Sequence, residues 1–194
     1  MEFKKIQLNG FKSFAEKTNF LIEDGLTGIV GPNGCGKSNI VESLRWVMGE
    51  TSAKSMRGSG MEDVIFSGTS NKASKNIAEV SIEVENKDKE GPVQYRELEQ
   101  IQVRRKIEKD KGSKFYINDK EVRARDAQMF FADLSTGAHS PSMISQGRIG
   151  ALVTAKPTDR RAILEEAAGI SGLHVRRHEA ELRLGAAENN LKRA

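Results

Sequence analysis

Eight consecutive residues, Gly31-Pro32-Asn33-Gly34-Cys35-Gly36-Lys37-Ser38, carry the most specific chemistry in the chain. They match the GxxxxGK[ST] phosphate loop. In that pattern glycines let backbone N–H groups approach phosphate oxygens, the lysine adds charge at the β and γ phosphates, and the hydroxyl serves a magnesium ion. From Asn39 to Met48 the apolar residues Ile40, Val41, Leu44 and Val47 recur at helical spacing, so a helix is predicted to open at the loop. Its free N–H groups and positive dipole end, near Lys37, favour an anion. The run Leu26 to Val30, bounded by Gly25 and Gly31, predicts a buried strand leading into the loop. Strand, loop and helix in that order imply a nucleoside triphosphate bound as its Mg2+ complex, held by Pro32, Asn33, Gly34, Cys35, Gly36, Lys37, Ser38 and Asn39.

The remaining elements must present that loop. Phe3 to Leu8 and Phe20 to Ile22 predict strands, so three strands are expected before the first helix. Gly49 to Gly60, rich in Gly, Ser and Lys, predicts a loop near the nucleotide that contains Arg57. Asp63 to Phe66, Ile77 to Val84, Tyr95 to Ile107 and Lys114 to Ile117 read as further strands in an antiparallel meander, with a turn at Asn118-Asp119. Arg123 to Leu134 places Ala127, Phe130, Phe131 and Leu134 on one helical stripe. A polar loop spans 135–150. Pro157 opens a helix to about Ala168, and from Leu173 the seam Leu173, Arg177, Ala180, Leu184, Ala187 and Leu191 alternates spacings of four and three, as a coiled coil would.

Composition bounds the reading. The 194 residues suffice for one medium domain with an appendage. The hydrophobic share of 37% and charged share of 30% point to a solvated helix or tail beside the core. A net charge of +4 permits nucleic-acid contact without requiring it. Cys35 is the single cysteine, which excludes an internal disulfide and suits a reducing cytoplasm. No stretch is long and apolar enough for a membrane span, and the first residues lack a signal-peptide core.

Phe11-Lys12-Ser13-Phe14, the loop from Gly31 to Ile40, Arg45-Trp46-Val47-Met48-Gly49-Glu50, Asp63-Val64-Ile65-Phe66-Ser67-Gly68 and Ile144-Ser145-Gln146-Gly147 together resemble SMC chromosome-segregation ATPases over essentially the whole chain. The resemblance implies an α/β fold: an ABC-type P-loop NTPase half-head over residues 1–170, with a mixed sheet and an antiparallel subdomain, and the start of an antiparallel coiled-coil arm over 171–194. It implies catalytic roles for Lys37, Arg57 and Gln146. Lys37 would be the Walker A lysine, Ser38 a magnesium ligand and Gln146 a second one that senses the γ-phosphate. Arg57 resembles the arginine finger, which offsets charge on the transferred phosphoryl group. Lys12 and Ser13 resemble positions beside the nucleotide near its adenine end. Without the resemblance, Gln146 and Arg57 read as ordinary loop residues, and His139 as a structural histidine rather than a base.

No apolar strand of this sequence ends in Asp-Glu, and Leu134-Ser135-Thr136-Gly137 lacks the second glycine of a signature motif. The resemblance therefore implies a composite ATPase, in which this chain alone binds ATP weakly and hydrolyses it poorly. Its partners would be the carboxy-terminal half of the same head, a second SMC head, double-stranded DNA and a kleisin-type subunit, in the cytoplasm at the nucleoid. Arg104, Arg105, Lys106, Lys109, Lys111 and Lys114 crowd one predicted hairpin, but acidic neighbours make a solvated charged face the ordinary reading. The resemblance favours Arg123 and Arg125 as phosphate contacts to DNA, indifferent to sequence and weakened by salt. Two other readings stay open here: a DNA-repair ATPase of the related coiled-coil class, which a zinc-hook CxxC in an arm would favour, and a nucleotide-gated clamp without turnover. A transporter ATPase shares the loop logic, but the coiled-coil pattern and Phe11-Lys12-Ser13-Phe14 argue against it.

Overall fold

A computed structural model describes residues 1–89, 91–134, 143–144, 150, 153–168 and 171–193. The chain divides into two compact units, Met1–Ala138 and His139–Ala194.

In the first unit, alternating side chains build a six-stranded sheet in the order β2-β1-β3-β4-β5-β6. The strands are β1 (Glu2–Asn9), β2 (Thr18–Leu21), β3 (Ile77–Glu85), β4 (Gln100–Glu108), β5 (Gly112–Ile117) and β6 (Lys120–Val122). Every ladder among the described strands is antiparallel. β3 and β4 pair over their full length, from Ile77 opposite Glu108 to Glu85 opposite Gln100. Asn118 and Asp119 close the last hairpin with φ of 46° and 63°. This pair of left-handed residues matches the right-handed twist of the strands it joins.

One face of the sheet carries Ile6, Leu8, Val80, Ile82, Ile101, Val103, Ile107, Phe115 and Ile117, all buried. Helix α1 (Lys37–Val47) lies against β3 and β4, and α2 (Ala124–Asp133) against β5. Trp46 and Phe11 are fully buried, with ring centroids 5.4 Å apart. Truncating a buried ring of this size costs about 3–5 kcal/mol, so this pair fixes α1 to the sheet. In the second unit, helices Pro157–Ala167 and Ser171–Leu191 occupy the two segments predicted to be helical. The seam residues Leu184 and Leu191 are exposed.

Three predicted strands differ. Leu26 to Val30 forms none, and Leu26 and Val30 are 99% and 93% exposed. An apolar run becomes a buried strand only with neighbours along both edges, and none of the described strands lies beside it. Only two strands therefore precede α1. Within Asp63 to Phe66, Asp63 and Val64 instead end a 3-10 turn (Met61–Val64), because the Asp63 carboxylate accepts from the N–H groups of Ser59 (2.6 Å) and Gly60 (3.0 Å). That local bond competes with a ladder, and only Ile65 reaches a bridge, to Phe11. Tyr95 to Ile107 splits into a turn, Val93–Tyr95, and β4.

Candidate nucleotide-binding site

The phosphate loop approaches α1 through Gly36, whose φ of 94° suits glycine. A Cβ there would come within 2.4 Å of Ser13 Oγ, so packing as well as backbone conformation demands glycine. No side chain caps the N-terminus of α1 and its first turn holds no acid. The Asn39 N–H bonds the Gly36 carbonyl at 2.9 Å, and no side chain takes the remaining orphan N–H groups of that turn, which suit a ligand. The Lys37 ammonium donates to the carbonyls of Gly31 and Pro32, both at 2.6 Å. The loop is curled around its own cation, at the place where an anion would take that cation over. Cys35 is exposed beside it, its Sγ 3.8 Å from Lys37 Nζ.

A second set of side chains flanks the same helix end. Phe11 and Phe14 exchange backbone hydrogen bonds of 3.1 and 2.8 Å, making a tight turn with Lys12 and Ser13 at its tip. Asn39 in the first turn of α1 joins that tip to Arg57. Its Nδ2 donates to Ser13 Oγ at 2.9 Å and its Oδ1 accepts from Arg57 at 3.2 Å. Lys12 and Arg57 both sit at positive φ, 47° and 54°, although neither is glycine. Such conformations cost about 1 kcal/mol or more and persist only where surroundings enforce them. Their N–H groups donate to the Val64 and Lys54 carbonyls at 2.7 and 3.0 Å, and Glu42 holds the ends of both side chains, its two carboxylate oxygens pairing with Lys12 and with Arg57.

The sequence reading missed Glu42. It is 8% exposed on a helix where a glutamate would be expected to face water. The available signal was its position four residues before Trp46, on the turn that packs against the core. Lys12, Ser13, Asn39 and Arg57, inferred separately from sequence, converge around that acid and beside the phosphate loop.

The other end of α1 is closed. Met48, Gly49 and Glu50 donate back to Leu44, Trp46 and Arg45, each at 3.1 Å. Gly49, at φ 104°, provides the left-handed stop, and Gln128 of α2 donates to its carbonyl at 2.8 Å. Arg105 adds a cation there. Its guanidinium donates to the Trp46 and Glu50 carbonyls, both at 2.7 Å, and its Nε to Ser113 at 2.7 Å. It lies between the Trp46 and Phe115 rings, 4.5 and 4.6 Å from their centroids. Burial pushes the guanidinium down to about 10, and nearby Glu50 offsets part of that shift. It stays charged at neutral pH.

Arg105 thus leaves the surface basic cluster to which its sequence neighbours suggested it belonged. Arg104 pairs with Glu79 and Asp119, Lys111 with Glu108 and Lys114 with Glu121, so much of the remaining charge is locally neutralised. Arg123 precedes α2 and Arg125 lies in its first turn; both are exposed. Gln146, with Ser145 and His139, lies outside the described residues. Among the described residues no cluster of His, Cys, Asp and Glu is arranged to hold a metal ion. No described helix is long and apolar enough to cross a membrane.

A glycine-rich phosphate loop that opens into a helix packed on an antiparallel sheet defines the nucleotide-binding lobe of an ABC-type P-loop ATPase fold. The chain belongs to the RecF/RecN/SMC N-terminal domain family, whose model matches residues 2–148. It is 57% identical over 193 residues to the chromosome partition protein Smc of Cereibacter sphaeroides, covering 100% of this chain and 17% of that protein. It is 46% identical to the Smc of Myxococcus xanthus over 195 residues, 100% of this chain and 16% of that protein. The chain therefore spans about a sixth of the length of these curated relatives. Among solved structures it resembles the Smc head domain with an extended coiled coil, bound to the C-terminal domain of ScpA, from Pyrococcus furiosus. There the TM-score is 0.80 at 31% identity, covering 98% of this chain and 48% of that one. The SMC head domain from Thermotoga maritima matches with a TM-score of 0.64 at 33% identity, over 80% of this chain and 52% of that one.

Proposed function

We propose that this chain is the nucleotide-binding half of an SMC head. With the carboxy-terminal half of that head and a second head, it hydrolyses ATP to drive DNA entrapment and chromosome segregation. The observation that carries this reading is the Lys37 ammonium, held on the Gly31 and Pro32 carbonyls at the uncapped start of α1. A triphosphate offers that ammonium better acceptors, while the first-turn N–H groups of α1 meet its remaining oxygens. Lys12 and Arg57 add positive charge on the flank, where Arg57 offsets the charge that develops during phosphoryl transfer.

Magnesium, when bound, would neutralise phosphate charge and orient the leaving group. The oxygen chemistry fits it. Ser38 would offer a hard hydroxyl oxygen in the first turn, and Gln146 would supply a second oxygen. The apolar, exposed run Leu26 to Val30 is the surface that the carboxy-terminal half covers. Residues 1–170 form the lobe and 171–194 begin the arm, whose exposed seam residues Leu184 and Leu191 await an antiparallel helix. Arg123 and Arg125 oppose the dipole of α2 from its positive end, an arrangement suited to a phosphate backbone. A kleisin-type subunit binds the assembled head, which acts in the cytoplasm at the nucleoid. The curated relatives carry chromosome-partition names, which favours this reading over DNA repair.

The test is ATP turnover by this chain mixed with the matching carboxy-terminal half, with and without DNA. Turnover should need both halves, vanish with Lys37→Ala, and lose its response to DNA when Arg123 and Arg125 both become Glu. This chain alone should be nearly inactive. Head assembly and ATP binding without turnover would instead indicate a nucleotide-gated clamp.

A further inference from the structure

Lys12 and Arg57 are 45 residues apart in sequence and come from different turns, yet one buried carboxylate holds both. We propose that Glu42 is the positioning residue of the nucleotide site, its two oxygens fixing the Lys12 ammonium and the Arg57 guanidinium beside the phosphate loop. The proposal rests on the nucleotide-binding reading above.

The arrangement is directional. Glu42 is buried on α1, whereas the Arg57 side chain is 59% exposed, so an inner anchor holds an outer group that can still reach a ligand. The Lys12 ammonium also donates to the Met56 carbonyl, next to Arg57, so the Lys12-Ser13 tip and the Lys54–Met56 turn are tied together through the acid. Two cations on one carboxylate leave a net charge of +1, to which Lys37 adds another. The acid therefore orders the cations without cancelling their attraction for a polyphosphate. A neutral amide at this position offers a single acceptor oxygen and no charge, and the cations would repel each other.

The experiment measures kcat and KM for ATP in the full-length protein with Glu42→Gln, Glu42→Asp, Arg57→Ala and the Glu42→Gln/Arg57→Ala pair. Loss of positioning predicts that Glu42→Gln lowers kcat about 10-fold while KM moves less than about 3-fold. Glu42→Asp keeps the charge and should recover most of that loss. In the Arg57→Ala background the loss caused by Glu42→Gln should shrink well below about 10-fold, since only Lys12 is left to position. An unchanged kcat in Glu42→Gln, or an undiminished loss in the Arg57→Ala background, would overturn the proposal. If Glu42→Gln is unfolded at the assay temperature, the same comparison is made at a lower temperature at which it is folded. Lys37→Ala separates the two levels of inference. If it leaves turnover intact, the nucleotide-site reading fails. If it abolishes turnover while Glu42→Gln is silent, only the role of Glu42 falls.

Discussion

The two ends of α1 are built on opposite plans. At its start, Gly36 and Lys37 leave N–H groups without a side-chain cap, and the nearest cation rests on loop carbonyls. At its finish, three backbone bonds, Gln128 and the buried Arg105 engage the last turn. Both ends carry partial charge, and each is met by a cation-rich neighbourhood, but only the closed end gains from it electrostatically. At the open end the cations and the dipole share one sign, an arrangement that makes sense for an anionic ligand. Rigidity at one end lets the other stay unsatisfied without the helix fraying.

The sharpest way to break this comparison is to remove the clamp. Arg105→Ala should lower stability by about 3 kcal/mol, read from the urea midpoint, because charge-assisted bonds to Trp46 and Glu50 disappear with the stacking. Arg105→Met keeps part of the stem packing and should cost less. Equal loss from both would show that the charge and its hydrogen bonds, rather than stem packing, close this end.

A gentler test uses two glycines at positive φ. Gly49→Ala should cost about 2 kcal/mol, combining left-handed strain with a Cβ only 2.3 Å from Gln128 Cγ. Gly25→Ala, on the approach to the loop with nothing within 4 Å, should cost about 1 kcal/mol from strain alone. Thermal melts of the pair compare a packed site with an open one. Equal costs would mean that the closed end is no tighter than the open approach.

The smallest effect concerns acid. Hydrogen bonds from Gly60 and Ser59 hold the Asp63 carboxyl below its ordinary value near 3.8. Its folded pKa is depressed, so its contribution is complete above that ordinary value and is lost as pH falls through the folded one. The stability gap between the parent and Asp63→Asn should therefore be widest above pH 4 and close in stronger acid. A gap that does not change with pH would assign the 3-10 turn to backbone geometry alone.

Much of this was legible in the residues. The loop, α1, β3, β4 and α2 follow from spacing, because each carries a local period that its packing merely confirms. Leu26 to Val30 was misread because hydrophobicity reports a wish for burial, while a strand needs backbone partners that sequence does not show. Asp63 was misread as part of a strand because a side-chain acceptor captured the local N–H groups first. Arg105 was countable: Ile101, Val103, Arg105 and Ile107 share one parity of β4, which places the arginine on the buried face. Its location in a run of charges hid that. Glu42 was harder to foresee, since its meaning depends on Lys12 and Arg57 arriving from distant turns.

The left-handed backbone at Lys12 and Arg57 has a practical consequence for protein engineering. Glycine or asparagine at either position would relax the main chain, so a selection that rewards heat resistance alone would push both sites that way. The survivors would be sturdier catalogue reagents whose phosphate loop had lost its attendants. Thermostability campaigns on this lobe should therefore score nucleotide binding in the same round as melting temperature.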